Sequence, residues 1–143
     1  MEDYIQRKQT KKIRVGDIFI GGDSPISVQS MTNTDTRDIK ATIDQIKRLE
    51  EAGCDIVRLA ILDNEAATAI GEIKKHVKIP IVADIHYDYR LAIECMKNGV
   101  DKIRLNPGNI GGNDRVRIVA VWLRRGEFLS ESVLILVQLR KEF

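Results

Sequence analysis

Arg58 and Arg104 each interrupt an apolar run, Ile56-Val57-Arg58-Leu59-Ala60 and Ile103-Arg104-Leu105. A guanidinium is costly to take out of water unless it meets an anion. Two of them converging on one opening form a site for phosphate or diphosphate, gripped through bidentate hydrogen bonds. The same two residues read equally as structural ion pairs to Asp84 and Asp101. Asp84-Ile85-His86 adds an acid and an imidazole. His86 is a candidate general acid/base or hydrogen-bond donor; its other reading is a partly buried histidine capping the next helix. Asp84 either holds that histidine, binds a hydroxyl or pairs with an arginine. The run Asn106-Pro107-Gly108-Asn109-Ile110-Gly111-Gly112 is rich in backbone donors and precedes a helical pattern, so it is either a phosphate cradle or a bare turn.

The elements that must position these groups follow a repeating rhythm. A basic opening, Arg7-Lys8-Gln9-Thr10-Lys11-Lys12, reads as a solvated face or as a cationic steer for an anion. Ile13-Arg14-Val15 and Ile18-Phe19-Ile20, separated by Gly16-Asp17, predict a β-hairpin. Strands are then expected to begin at Pro25, Asp55, Ile79 and Asp101, which lie 22 to 30 residues apart. Between them, helices are expected over 38–52, 64–76 and 87–98, with a fourth starting near Asn113. Ile39, Ile43, Ile46 and Leu49 supply the helical period in the first, and Gly53 closes it. Repeated βα units of this length build parallel sheets with right-handed crossovers. Four units are half of a (β/α)8 TIM-type barrel, in which functional groups gather at the C-terminal strand ends. An open four-stranded sheet is the alternative.

Composition narrows the function. With 143 residues, 43% apolar and 31% charged, the chain is globular in type. A net charge of +2 without interleaved aromatics argues against a nucleic-acid binder. The longest strongly apolar run, Val133 to Val137, is far too short to span a bilayer. Met1-Glu2-Asp3-Tyr4 lacks the order of a secretion signal, which predicts a cytoplasmic protein. Cys54 and Cys95 have no cysteine or histidine at ligand spacing and read as free buried thiols.

Four ordered motifs carry a family resemblance. Val28-Gln29-Ser30-Met31-Thr32-Asn33-Thr34, Ala52-Gly53-Cys54-Asp55-Ile56-Val57-Arg58, Val82-Ala83-Asp84-Ile85-His86-Tyr87-Asp88-Tyr89-Arg90 and Ile103-Arg104-Leu105-Asn106-Pro107-Gly108-Asn109-Ile110-Gly111 resemble 4-hydroxy-3-methylbut-2-en-1-yl diphosphate synthase, from about Ile5 to Val119. The resemblance implies reductive ring opening of 2-C-methyl-D-erythritol 2,4-cyclodiphosphate in the methylerythritol phosphate route to isoprenoids. It implies a TIM barrel that binds the diphosphate, and ferredoxin or flavodoxin as electron donor. It also implies a homodimer in which a C-terminal domain carries a [4Fe-4S] cluster on three cysteines and a glutamate. By position, Arg58 and Arg104 then hold diphosphate oxygens, and His86 and Asn106 hydrogen-bond the substrate. Thr32, Asp84 and Asn109 line the mouth.

Past Val119 the sequence departs from that pattern. Glu127 to Gln138, back-translated and read one base earlier, spells Gly-Ile-Pro-Ile-Arg-Ile-Gly-Val-Asn-Ser-Gly-Ser, the segment the family carries next. The expectation is a frameshift between about Val119 and Trp122, with a compensating shift before Leu139. The chain then divides into an extension and hairpin over 1–24, half a barrel over 25–119 and an aberrant tail over 120–143, with the fifth strand scrambled. No cluster domain and no turnover by this chain alone are expected. The competing functions are a stand-alone diphosphate-binding module, an inert fragment and, more distantly, a dihydropteroate-synthase-like barrel, whose pterin motifs are not visible.

Overall fold

The computed structural model describes residues 6–124 and the strand Leu134–Val137. Met1 to Ile5 and most of the segment expected to be out of frame therefore lie outside the described residues. Strands β1 (Ile13–Val15) and β2 (Ile18–Ile20) form the antiparallel hairpin, with Val15 opposite Ile18. Gly16 at φ +55 is the one turn residue with positive φ, the sign pattern of a type II′ turn with glycine first. A side chain there is excluded twice over, because a Cβ would also lie 2.9 Å from Pro80 Cγ. The turn thus rests on the N-terminal side of the sheet.

The rest alternates strand and helix: β3 (Gln29–Met31), α1 (Ile39–Glu51), β4 (Ile56–Ile61), α2 (Asn64–Lys74), β5 (Ile81–Ile85), α3 (Tyr89–Lys97) and β6 (Lys102–Leu105). A single-turn helix, α4 (Pro107–Ile110), leads into α5 (Asn113–Arg124), and β7 (Leu134–Val137) follows. The sheet order β3-β4-β5-β6-β7 is parallel throughout. The expected βα rhythm is therefore present as half of a barrel.

Two boundaries differ from expectation for physical reasons. The first strand was expected from Pro25, but ladder pairing begins at Gln29. Before it, Val28 is tied to Asp55 by side chain instead, donating its N–H to Oδ2 at 2.8 Å while its carbonyl accepts from Asp55 N at 2.8 Å. The stretch after Asn106, expected as a turn, folds as α4 because Asn106 caps it and Pro107 presets its first residue. Helix α5, expected from near Asn113, runs through Val119, which is fully buried, and Trp122 packs against the core. A fifth strand, β7, occupies the position beside β6, in register Arg104 to Leu136.

Aspartates start the helices. Asp38, Asp63 and Asp88 accept from the backbone N–H groups of Ala41, Ala66 and Arg90. Asp38→Ala is expected to lower the unfolding free energy by about 1 kcal/mol, with an unchanged urea m-value. A change of m would instead place the effect in the compactness of a state. At the other end of α1, Gly53 at φ +91 lets the N–H groups of Gly53 and Cys54 return to the carbonyls of Glu50 and Leu49.

Period-two alternation sorts the strands into two faces. Val57, Leu59, Ile61, Ile81, Ala83, Ile85, Ile103 and Leu105 pack under α2 and α3 against Ile70, Ile73 and Met96. The opposite face, which is the interior of a barrel, carries Arg58, Ala60, Val82, Asp84, Lys102 and Arg104. The apolar face is what holds the polar one in register.

Candidate functional site

Asp84 is the centre of the polar face. It stands near the end of β5, opposite Ala60 on one side and Arg104 on the other. Its side chain is 3% exposed. Arg104 Nη1 donates to Oδ1 at 2.8 Å. Arg58 Nε lies 3.4 Å from Oδ2, and His86 Nε2 also lies 3.4 Å from Oδ2. One buried carboxylate therefore faces two guanidinium groups and an imidazole. Two guanidinium groups thus share one carboxylate. Arg58, Arg104 and His86 are each a quarter to a third exposed, near the C-terminal ends of the strands.

The ion-pair reading of the arginines is thus partly realised. The pairing to Asp84 forms, but neither arginine reaches Asp101. That residue accepts from Lys74 Nζ at 2.7 Å and from the backbone N–H of Ile81 at 2.8 Å, at the far end of the strands. His86 does not cap α3, since Asp88 does. The carboxyl of Asp88 is held below its usual range by its hydrogen bonds with Arg90, which suits a cap that stays ionised.

The other candidates are placed as follows. Asn106 follows β6 and spends its Oδ1 on the N–H of Gly108 at 3.1 Å, so its amide N–H2 is left to donate. Asn109 is exposed on α4 and serves the helix through its backbone, its N–H bonding Asn106 O at 3.0 Å. Thr32 follows β3 and is joined to β4 through its N–H to Arg58 O at 3.0 Å. Its hydroxyl is buried and has no hydrogen-bond partner, an orphan in a structure where such groups are few. Beside it, a cleft of about 480 Å³ opens among Asn33, Thr36, Ala60 and Leu62.

Two residues were missed at the sequence level. Met31 presents its sulfur to Arg58 Nε and Nη2 at 3.4 and 3.3 Å, steadying the guanidinium from the neighbouring strand. Lys102 shares the polar face with Arg104, a relation that simple alternation along β6 could have revealed. Among the described residues no group of three or more His, Cys, Asp or Glu side chains is arranged to hold a metal ion. Cys54 precedes β4 and directs its thiol to Ile56 O, while Cys95 is buried in α3, where desolvation pushes its thiol pKa up. Neither fits an iron–sulfur cluster at the strand ends. No helix among the described residues is long and apolar enough to cross a membrane.

Parallel βα units with their polar groups gathered at the C-terminal strand ends define a domain of the (β/α)-barrel class. Residues 10–127 match the family model described as the GcpE TIM-barrel domain, and the chain belongs to that family. It is 92% identical over 120 residues to a 4-hydroxy-3-methylbut-2-en-1-yl diphosphate synthase (flavodoxin) of Ruminiclostridium cellulolyticum, covering 84% of this chain and 34% of that protein. Proteins of the same name from Clostridium acetobutylicum and Azotobacter vinelandii are 62% identical over 116 residues and 58% identical over 118. These alignments cover 81% and 82% of this chain, and 33% and 32% of those proteins. The chain spans about a third of the length of the curated relatives it matches. The family match also runs past Val119 to residue 127.

Proposed function

We propose that this chain forms the diphosphate-binding part of a 4-hydroxy-3-methylbut-2-en-1-yl diphosphate synthase, an enzyme of isoprenoid biosynthesis. The substrate in this reading is 2-C-methyl-D-erythritol 2,4-cyclodiphosphate. The observation that carries it is the convergence of Arg58, Arg104 and His86 on the single buried carboxylate of Asp84. Arg58 and Arg104 neutralise the diphosphate, and their pre-paired geometry limits the ordering cost of binding. His86 and the free amide N–H2 of Asn106 orient the ring oxygens by hydrogen bonds. Thr32, Asp84 and Asn109 shape the mouth, Asp84 by fixing the three cationic side chains.

A flavodoxin donor, supported by the relatives' names, belongs to the same reading, as do a cytoplasmic location and a homodimer. A [4Fe-4S] cluster would relay to the substrate the two electrons that the donor supplies. Cys54 and Cys95 do not fit it, and the residues of this chain bind and orient rather than reduce. Isothermal titration with the cyclodiphosphate tests the proposal. Binding is expected, and Arg104→Ala should weaken it by about ten- to a hundredfold, the value of a charge-assisted hydrogen-bond pair. Equal affinity in both proteins, or none in either, would overturn the reading.

A further inference from the structure

Lys102 as a residue is 7% exposed, and its ammonium, whose tip keeps some contact with solvent, makes no hydrogen bond or ion pair among the described residues. Buried lysines are rare and are ordinarily paired. The register places it with care. Met31, Arg58, Val82 and Lys102 form one continuous row across β3, β4, β5 and β6. Arg104 stands two residues further along the same strand, about 7 Å on, on the same face. Lys102 therefore lies one layer beneath the cluster around Asp84, on the barrel's interior side.

The groups that face it are Arg58 from β4, Asp84 from β5 and Arg104 from its own strand. Of these only Asp84 is an acid, and its oxygens are already engaged by Arg58, Arg104 and His86. Among the described residues Lys102 is thus a cation with no counter-charge left to it. An added acid from the helix layer cannot serve, because Asp101 and the helices lie behind the opposite face and Asp101 is taken by Lys74.

We propose that Lys102 is the floor of the anion site, a positioning residue, level with Arg58 and one layer beneath Arg104, whose ammonium holds the deeper phosphate of a bound diphosphate. The inference rests on the diphosphate-binding reading given above and adds a third cation to it. Burial pushes the Lys102 ammonium below its usual range in the free protein. A phosphate oxygen beside it stabilises the charged form and pushes the value back up. Between those two values binding takes up a proton, so affinity falls as pH rises through that window.

Titration calorimetry with inorganic pyrophosphate on the full chain, at pH 7 and pH 9 and in two buffers of different ionisation enthalpy, tests this. The wild type should bind and take up a proton that Lys102→Met does not. Lys102→Met should also bind about tenfold more weakly or worse, and Lys102→Arg should keep most of the affinity. Circular dichroism confirms that each variant is folded, and methionine leaves no unpaired charge at the site to oppose folding. If pyrophosphate binds the wild type and Lys102→Met alike, with the same proton count, while Arg104→Ala weakens it, Lys102 is not part of the site and the diphosphate reading stands. If the wild type binds no pyrophosphate, the diphosphate reading falls and this inference falls with it.

Discussion

Asp84→Ala is expected to destabilise the domain by about 3 kcal/mol, at the lower end of the range for removing one partner of a buried charge cluster. Arg104, Arg58 and His86 would be left facing one another without the carboxylate that separates them. The partial exposure of these three keeps the cost from rising further. Urea unfolding measures it, and a loss below about 1 kcal/mol would show that solvent replaces the carboxylate. Asp84→Asn separates stability from binding. The amide keeps the shape and an acceptor for Arg104 but no longer competes for the guanidinium charge. Pyrophosphate should then bind more tightly than to wild type, even though the fold is weaker.

Leu59→Ala is expected to cost about 2–5 kcal/mol, the range for emptying a fully buried aliphatic site. Leu59 is 0% exposed and its ladder neighbour is Ala83, too small to fill the space. The adjoining residue makes the contrast informative. Arg58 points to the other face, so Arg58→Ala should remove pyrophosphate affinity while costing much less stability. Below its melting point Leu59→Ala should retain that affinity. If Leu59→Ala lost binding while folded, the two faces of β4 would not be independent.

Alternation and period made most of this architecture legible from the sequence. The βα spacing located β3 to β6 and α1 to α3, because each apolar stripe has one layer to pack against. The hairpin was legible from Gly16-Asp17 between two short apolar strands. Arg58 and Arg104 stood out as charges inside apolar runs, and the structure brings them together with His86 at Asp84. Whether they pair with Asp84 or Asp101 was not legible, since that depends on which end of the strand each acid occupies and on the reach of Lys74. Lys102 was overlooked for a related reason. Beside Asp101 it looks like half of a surface pair, although alternation along the strand sends the two side chains to opposite faces. The helix through Val119 is continuous because Val116, Val119, Trp122 and Leu123 keep one apolar stripe on the core.

The docking of the hairpin turn against Pro80 and Asp101 also sets an order in time. Residues 13–20 leave the ribosome early, but their seat does not exist until β5 and β6 have been made and paired. Long loops must close before that contact is rewarded, which makes it a late and slow event. The hairpin strands, made before β5 and β6, are therefore seated only after them.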